Sequence, residues 1–558
     1  MAQASLQSTP AHAGVWGRVD PRVTRLLVVS GVTLLALALR WPYLMLVPRF
    51  TDELREMEWT LQIARGEILP LTNVSAFIGI VPLYLVAGLL KLFGPQLWLP
   101  RAVVAIFGAL LAGLVAWLAW EMAGTIIDRR PPTIGQTTDD GRRTTGMNAQ
   151  GGGVGSRSAV VVASLVAGLL TATSFSLILI NSHLAWSNST TPFFVTLALA
   201  VTWLAVARGR GVWLVVSGCL WGIALQSHPG VAPFLPGVLL WYLWQPQGRA
   251  WLRRPWPWLA VTGFALGYLN ILWLMFAPGN PVATEAQGAR FGRPDSLTAF
   301  GERLGALFIQ LGRMLAGAYA PPTAEATPLT ITPAVPLFAL VAIAALLWCL
   351  RDREMSILPI VAGSGMLLLA LTTNTLDLSR AFNALYDTRY LASLLPLVYL
   401  ALGLAAATIW GAASTTGRGG VAIAALAMMG LPLLSLRGFY TDSQARGLTN
   451  APFLALADAA REVGAQGGFI LVDKKAGTVH TGGGGDSQDT SESLFEFYGL
   501  DHRRSDPSQI RYFLTHSEAP MLLLLGEQAT TDLRDSPGLT LLPLDVPGYQ
   551  VFAAAPAR

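Results

Sequence analysis

Charge is the scarcest thing in this sequence. Only 13% of its 558 residues are Asp, Glu, Lys or Arg, about half the ~25% of an ordinary soluble domain. With 53% of residues hydrophobic, a soluble globular protein is excluded and a polytopic membrane protein remains. Cysteine is nearly absent too. The two present, Cys219 and Cys349, lie in separate apolar segments, which leaves no disulfide framework and no cysteine metal site to build. The net charge of +5 comes mostly from arginines beside apolar segments and gives no reason to expect nucleic acid. A signal peptide is not expected either. Residues 1–20 are polar, the first apolar stretch is too long for an h-region, and no clear small-residue cleavage site follows it, so the reading is an uncleaved first helix. No convincing internal repeat is visible.

Long apolar runs are what the chain does have. Segments of about 20 apolar residues can cross a bilayer, and such segments lie near 24–46, 99–121, 159–181, 191–207, 211–227, 229–245, 257–276, 332–350, 356–374, 389–410 and 420–437. The eighteen Trp suit interfacial belts. One segment, 78–93, is apolar but short and is broken by Pro82. The distribution of arginine decides its role. If it does not span and the N-terminus is cytoplasmic, then Arg129, Arg130, Arg142, Arg143, Arg157, Arg208, Arg210, Arg249, Arg253, Arg254, Arg351, Arg353 and Arg418 all fall on the cytoplasmic side. The expectation is therefore a juxtamembrane helix at 78–93, eleven spans, the N-terminus inside and the C-terminus outside.

This gives three parts: a cytoplasmic tail (1–23), a membrane domain (24–440) whose first external loop is 47–98, and a small extracytoplasmic α/β domain (441–558). In the last part, helix-like runs at 451–463 and 491–498 alternate with strand-like runs at 469–472, 521–525 and 539–544, and Gly482 to Gly485 read as a surface loop.

Chemistry concentrates where the first apolar segment ends. Phe50-Thr51-Asp52-Glu53 opens a polar run through Glu67 that also holds Arg55, Glu56, Glu58 and Arg65. A solvated loop end is one reading; a catalytic base at a membrane surface is the other. On the outer side a nucleotide sugar is not available, whereas a lipid-phosphate-linked sugar is. Transfer from such a donor needs a carboxylate to deprotonate the attacking hydroxyl or amine and cations to stabilise the departing phosphate.

The order of motifs carries a resemblance. Leu39-Arg40-Trp41 is followed by Thr51-Asp52-Glu53, then Pro82-Leu83-Tyr84, Leu92-Phe93-Gly94 and Pro100-Arg101. Ser182-His183-Leu184-Ala185-Trp186 with Pro192-Phe193-Phe194, Gln226-Ser227-His228-Pro229 and Asp387-Thr388-Arg389-Tyr390-Leu391 come after. Over roughly 24–410 the chain resembles the GT-C superfamily of integral-membrane glycosyltransferases, especially the protein O-mannosyltransferase and lipid A aminoarabinose transferase group.

The resemblance implies a polyprenyl-phosphate sugar donor, inversion at the sugar, and no cofactor, with the part of a divalent metal left open. It implies that Asp52 acts as base or orients the acceptor with Glu53 as its neighbour, and that Arg389 is a phosphate ligand with Tyr390 beside it at the substrate. Arg40 is a second phosphate candidate, with snorkelling to headgroups as its alternative. His183 and His228 are candidates for substrate contact, with capping of a helix end as theirs. Some relatives carry a Lys where this chain has Ile80-Val81, and several carry an acid where it has Ser187-Asn188. The acceptor is a lipid, a glycan or a protein. A transporter or flippase of lipid-linked glycans is the rival reading.

Overall fold

The computed structural model describes residues 20–46, 51–128, 151–288, 294–318, 333–372, 388–445, 449–473, 494–495, 497–498, 500–517, 519–534, 541–544 and 550–554. The expected loop at Gly482 to Gly485 lies outside them, as does Asp387.

Helix α1 (Pro21–Arg40) starts where the Asp20 carboxylate accepts the Arg22 amide at 2.8 Å and Pro21 takes the first helical position. Two helices follow in the first external loop, α2 (Thr51–Arg65) and α3 (Val81–Phe93), joined by a connection pinned by the Thr72–Gly79 bridge. The chain then runs through α4 (Leu99–Asp128), α5 (Gly151–Thr173), the short α6 (Phe175–Ile180), α7 (Thr191–Ala207), α8 (Gly211–Ser227), α9 (Leu235–Trp244), α10 (Pro246–Trp251), α11 (Trp256–Gly267), α12 (Leu269–Met275) and α13 (Pro281–Gly288). The second half holds α14 (Leu297–Ala316), α15 (Ala334–Cys349), α16 (Ile357–Thr372), the one-turn α17 (Thr388–Leu391), α18 (Leu395–Ala412) and α19 (Thr415–Ala445).

All eleven expected apolar segments are helical, and 78–93 is the separate 13-residue α3. Five helices are long and apolar enough to cross a membrane by themselves. The α11–α12 pair, bent by 77°, makes a sixth. In the other five segments the stretch counted as apolar helix is only 10–17 residues long, Arg157–Thr173 of α5 among them. Ser174 accepts the Leu177 amide and separates α5 from α6. Length alone therefore supports six crossings among the described residues, where the sequence led us to expect eleven.

Helices α8 and α11 show why some of these segments pack so closely. Gly218 and Gly222 face Gly263 and Gly267, and a Cβ added at Gly218 would sit 2.0 Å from the Ala260 carbonyl oxygen, one at Gly267 2.2 Å from that of Cys219. Small residues four apart on both helices let the backbones meet. In α14, by contrast, Arg313 is buried. The C-terminal half of that helix packs inward.

After α19 the chain forms an α/β unit. Helix α20 (Ala451–Ala465) leads into β1 (Phe469–Asp473). Then come β2 (His502–Ser505), α21 (Pro507–His516), β3 (Met521–Leu524), α22 (Glu527–Arg534), β4 (Leu542–Leu544) and β5 (Val551–Ala554). The strand order is β2-β1-β3-β5-β4, with β1 parallel to both its neighbours and β5 antiparallel to β3 and β4. Side chains alternate across the sheet as the strand period requires. Ile470, Val472, Leu522, Leu524 and Val551 enter one core; Leu471, Met521, Leu523, Phe552 and Ala554 enter another.

Candidate active site

The polar stretch that follows the first apolar segment is the amphipathic helix α2. Its apolar residues Leu54, Met57 and Leu61 form one buried stripe. Glu53, Glu56 and Thr60 repeat the same i, i+3, i+7 spacing about 100° around the helix. Asp52 lies in the first turn, with its side chain outside the described residues.

Glu53 is 0% exposed, and so is its partner Arg101 at the start of α4. The guanidinium grips both carboxylate oxygens, Nε to Oε1 at 2.7 Å and Nη2 to Oε2 at 2.9 Å, and its Nη1 donates to the Leu44 carbonyl at 3.0 Å. Such a two-pronged pair fixes orientation as well as charge. Glu53 thus ties α2 to α4.

Arg40, the last residue of α1, is also sealed from solvent. It does not snorkel. Its Nη1 turns inward to the carbonyls of Ala36 at 3.0 Å and Ala172 at 3.2 Å. Gly108 makes the room, since a Cβ there would lie 2.7 Å from Arg40 Nε. His183 is buried beside these cations, and its Nε2 pairs with the Tyr440 hydroxyl from α19. Burial, and then the charge of Arg101, push its imidazole down to about 3; the Leu44 carbonyl pulls the other way, and Arg40 adds the smallest push down. It is neutral near pH 7 and serves here as a fixed hydrogen-bond partner. Tyr440 also stacks on Tyr43, with ring centroids 4.2 Å apart.

A second cluster surrounds Glu56. Its Oε1 accepts from Asn73 Nδ2 at 2.6 Å; its Oε2 accepts from the Ser187 amide at 2.9 Å and the Ser187 hydroxyl at 3.0 Å. Asn73 Nδ2 also reaches Ser187 Oγ at 2.8 Å. One carboxylate thereby joins α2, the 72–79 connection and the turn before α7. It stands at the edge of a cleft whose walls are otherwise mostly apolar, including Pro82, Leu85, Val103, Phe107 and Phe194.

His228 and Tyr390 come together elsewhere, edge to face with centroids 5.8 Å apart. His228 caps the turn after α8 by accepting the Gly230 amide at 3.0 Å on Nδ1. Arg389 is in α17, next to Tyr390, with its side chain outside the described residues. The structure therefore gathers Glu53, Arg40 and His183 in one buried cluster and His228 with Tyr390 in another. Among the described residues, no three His, Cys, Asp or Glu side chains converge as metal ligands would.

Sequence reasoning gave Glu56 no role of its own. The available signal was its spacing, four residues after Asp52, which is one turn once α2 is known to be a helix. The partners Arg101 of Glu53, 48 residues away, and Asn73 and Ser187 of Glu56, 17 and 131 residues away, left no such signal.

At the other end of α4, Glu121 binds Arg25 of α1 at 2.5 Å and Arg208, just past α7, at 2.6 Å. Twenty residues of helix separate Arg101 from Glu121, or about 30 Å, the thickness of a bilayer's hydrocarbon core. The start of α1 and the end of α7 thus share one face of the molecule, and Glu53 and Arg101 are at the other.

Residues 157–273 match the family model described as dolichyl-phosphate-mannose-protein mannosyltransferase. No curated protein matches by sequence. Among solved structures, the fold is similar to ArnT from Cupriavidus metallidurans bound to undecaprenyl phosphate, with 14% identity, 95% of this chain and 97% of that one covered, and a TM-score of 0.55. ArnT from the same organism in the apo state gives 13% identity, 96% and 98% coverage, and a TM-score of 0.54. The Archaeoglobus fulgidus oligosaccharyltransferase in the apo form gives 14%, 87% and 65%, and 0.49. The family match covers one stretch of the membrane helices, and the fold of the whole chain is similar to that of ArnT.

Proposed function

We propose that this chain is a GT-C glycosyltransferase that takes a sugar from a polyprenyl-phosphate donor and passes it to a lipid, glycan or protein acceptor on the outer side of the cytoplasmic membrane. The observation that carries the reading is α2, a carboxylate-bearing helix tied to the start of α4 and to an apolar cleft at one end of the membrane helices. The ArnT neighbour bound to undecaprenyl phosphate supports the lipid class of the donor. In this reading the Asp52 carboxylate takes the acceptor's proton. The acceptor oxygen or nitrogen attacks the sugar, and the lipid phosphate leaves with the bonding electrons. Arg389 steadies that phosphate, Glu53 holds α2 in place through Arg101, and His228 with Tyr390 flanks the substrate. A transporter instead concentrates charge near mid-membrane; here the described ion pairs on α4 gather at its two ends.

Purified protein in nanodiscs, given a polyprenyl-phosphate sugar and candidate acceptors, tests the proposal. Asp52→Asn keeps the shape of the side chain but removes the basic oxygen, so transfer should fall ~10²–10⁴-fold while donor binding persists. Parental turnover by Asp52→Asn would remove the base from the mechanism.

Sidedness has its own test. The arginine distribution puts the start of α1 and the end of α7 inside, and therefore α2 and the α/β unit outside. In intact cells a membrane-impermeant thiol reagent should label Glu67→Cys and spare Arg210→Cys, both exposed positions. The reverse pattern would invert the topology.

A further inference from the structure

The buried stripe of α2 does not end in the membrane body. Leu54, Met57 and Leu61 belong to one continuous core with Phe453, Leu456 and Ala460 of α20 and with the inner face of the C-terminal sheet. The opposite face of that sheet has a separate core, closed by α21 and α22 through Ile510, Leu514 and Leu533. A backbone bond joins the two parts where each begins, the Asn450 amide donating to the Leu46 carbonyl at 2.9 Å. The helix leading into the α/β unit is held as well, through Tyr440 to His183 and Tyr43.

From this arrangement we infer that the C-terminal α/β unit is part of the transfer site. Its core clamps α2 from the side next to the carboxylate stripe and sets where Asp52, Glu53 and Glu56 stand. Leu456, fully buried in α20, is the main positioning residue. It acts through α2 and touches no substrate. The physical reason is that a 15-residue amphipathic helix on a membrane surface has little stability by itself. Burying Leu54, Met57 and Leu61 in one core with Leu90 of α3, Leu99 of α4, α20 and the sheet supplies it, and a catalytic group needs placement to within a fraction of an ångström.

Two readouts on the full-length protein in nanodiscs test this. The first is hydrogen exchange. Leu456→Ala should speed exchange of the α2 amides about tenfold or more, while α4 and α18 keep theirs. Ile510→Ala, which opens the core on the far face, should leave α2 at the parental rate. Parental exchange in α2 of Leu456→Ala, whether or not the sheet itself stays protected, overturns the clamp. Should Leu456→Ala loosen α4 as well, Met57→Ala decides from the other side: faster exchange in β1 and β3 supports the shared core, and parental exchange there overturns it.

The second readout is transfer, and this half rests on α2 being the catalytic helix as proposed above. Leu456→Ala should lower kcat about tenfold or more with the donor KM nearly unchanged, and Leu456→Met should restore it. Loosened α2 with undiminished kcat overturns the positioning role. A parent enzyme without transferase activity overturns the functional reading instead, and leaves the exchange result standing by itself.

Discussion

The two ends of α4 carry ion pairs of opposite character. At one end Glu53 and Arg101 are both completely buried and meet through two parallel hydrogen bonds. At the other, Glu121 is shared by Arg25 and Arg208, whose side chains remain 38% and 53% exposed. The same residue types thus do different jobs. Where water is excluded, neither charge can be resolvated, so each needs the other and the geometry between them is fixed. Where water remains, the pair is screened and adjustable, and it marks a membrane face more than it holds a fold. The buried pair is at the end where α2 and its carboxylates meet the helix bundle.

The largest expected effect breaks that contrast at its buried end. Arg101→Ala leaves the Glu53 carboxylate sealed without its cation and should cost about 3–5 kcal/mol of folding stability, read by thermal unfolding in detergent. Replacing both partners together by apolar residues of similar volume should cost much less, because no lone buried charge is left. A double variant as unstable as Arg101→Ala would show that packing, and not charge, dominates there.

A more gradual effect, smaller within any one pH unit, is set by pH. His183 is held neutral, its imidazole pushed down to about 3 from an ordinary 6.5. Below pH 6.5 the unfolded chain binds a proton that the folded one refuses, so stability should be level above 6.5 and fall as the pH drops toward 3. The slope is at most about 1.4 kcal/mol per pH unit for one proton. Comparing unfolding of the parent and His183→Asn across that range isolates it. The same slope in both would assign the acid sensitivity to other groups.

The smallest effect belongs to the exposed end. Glu121→Gln should change stability by about 1 kcal/mol or less, and less still at high salt. A loss as large as that of Arg101→Ala would erase the distinction between the two ends.

Much of the fold was legible in the sequence because it is written in local period and composition. The apolar runs became helices, Phe469 to Val472 and Met521 to Leu524 became the central parallel strands, and 78–93 became a separate helix of its own. Two strands escaped notice. His502–Ser505 is a polar edge strand paired only with β1, and Val551–Ala554 is a four-residue run that reads as a tail. Both exist because neighbours distant in sequence offer them hydrogen bonds.

The candidate site divides along the same line. The sequence by itself determined that acid follows the first apolar helix and that the chain belongs in a membrane, since burying apolar surface depends only on residue type and spacing. Only the tertiary structure decided that Glu53 is locked to Arg101, that Arg40 turns inward, that Glu56 joins three segments, and that α2 shares its core with the C-terminal sheet. These pairings reach across 17 to more than 400 residues, and the energy of a buried charge or a shared apolar face depends on which partner the fold brings to it.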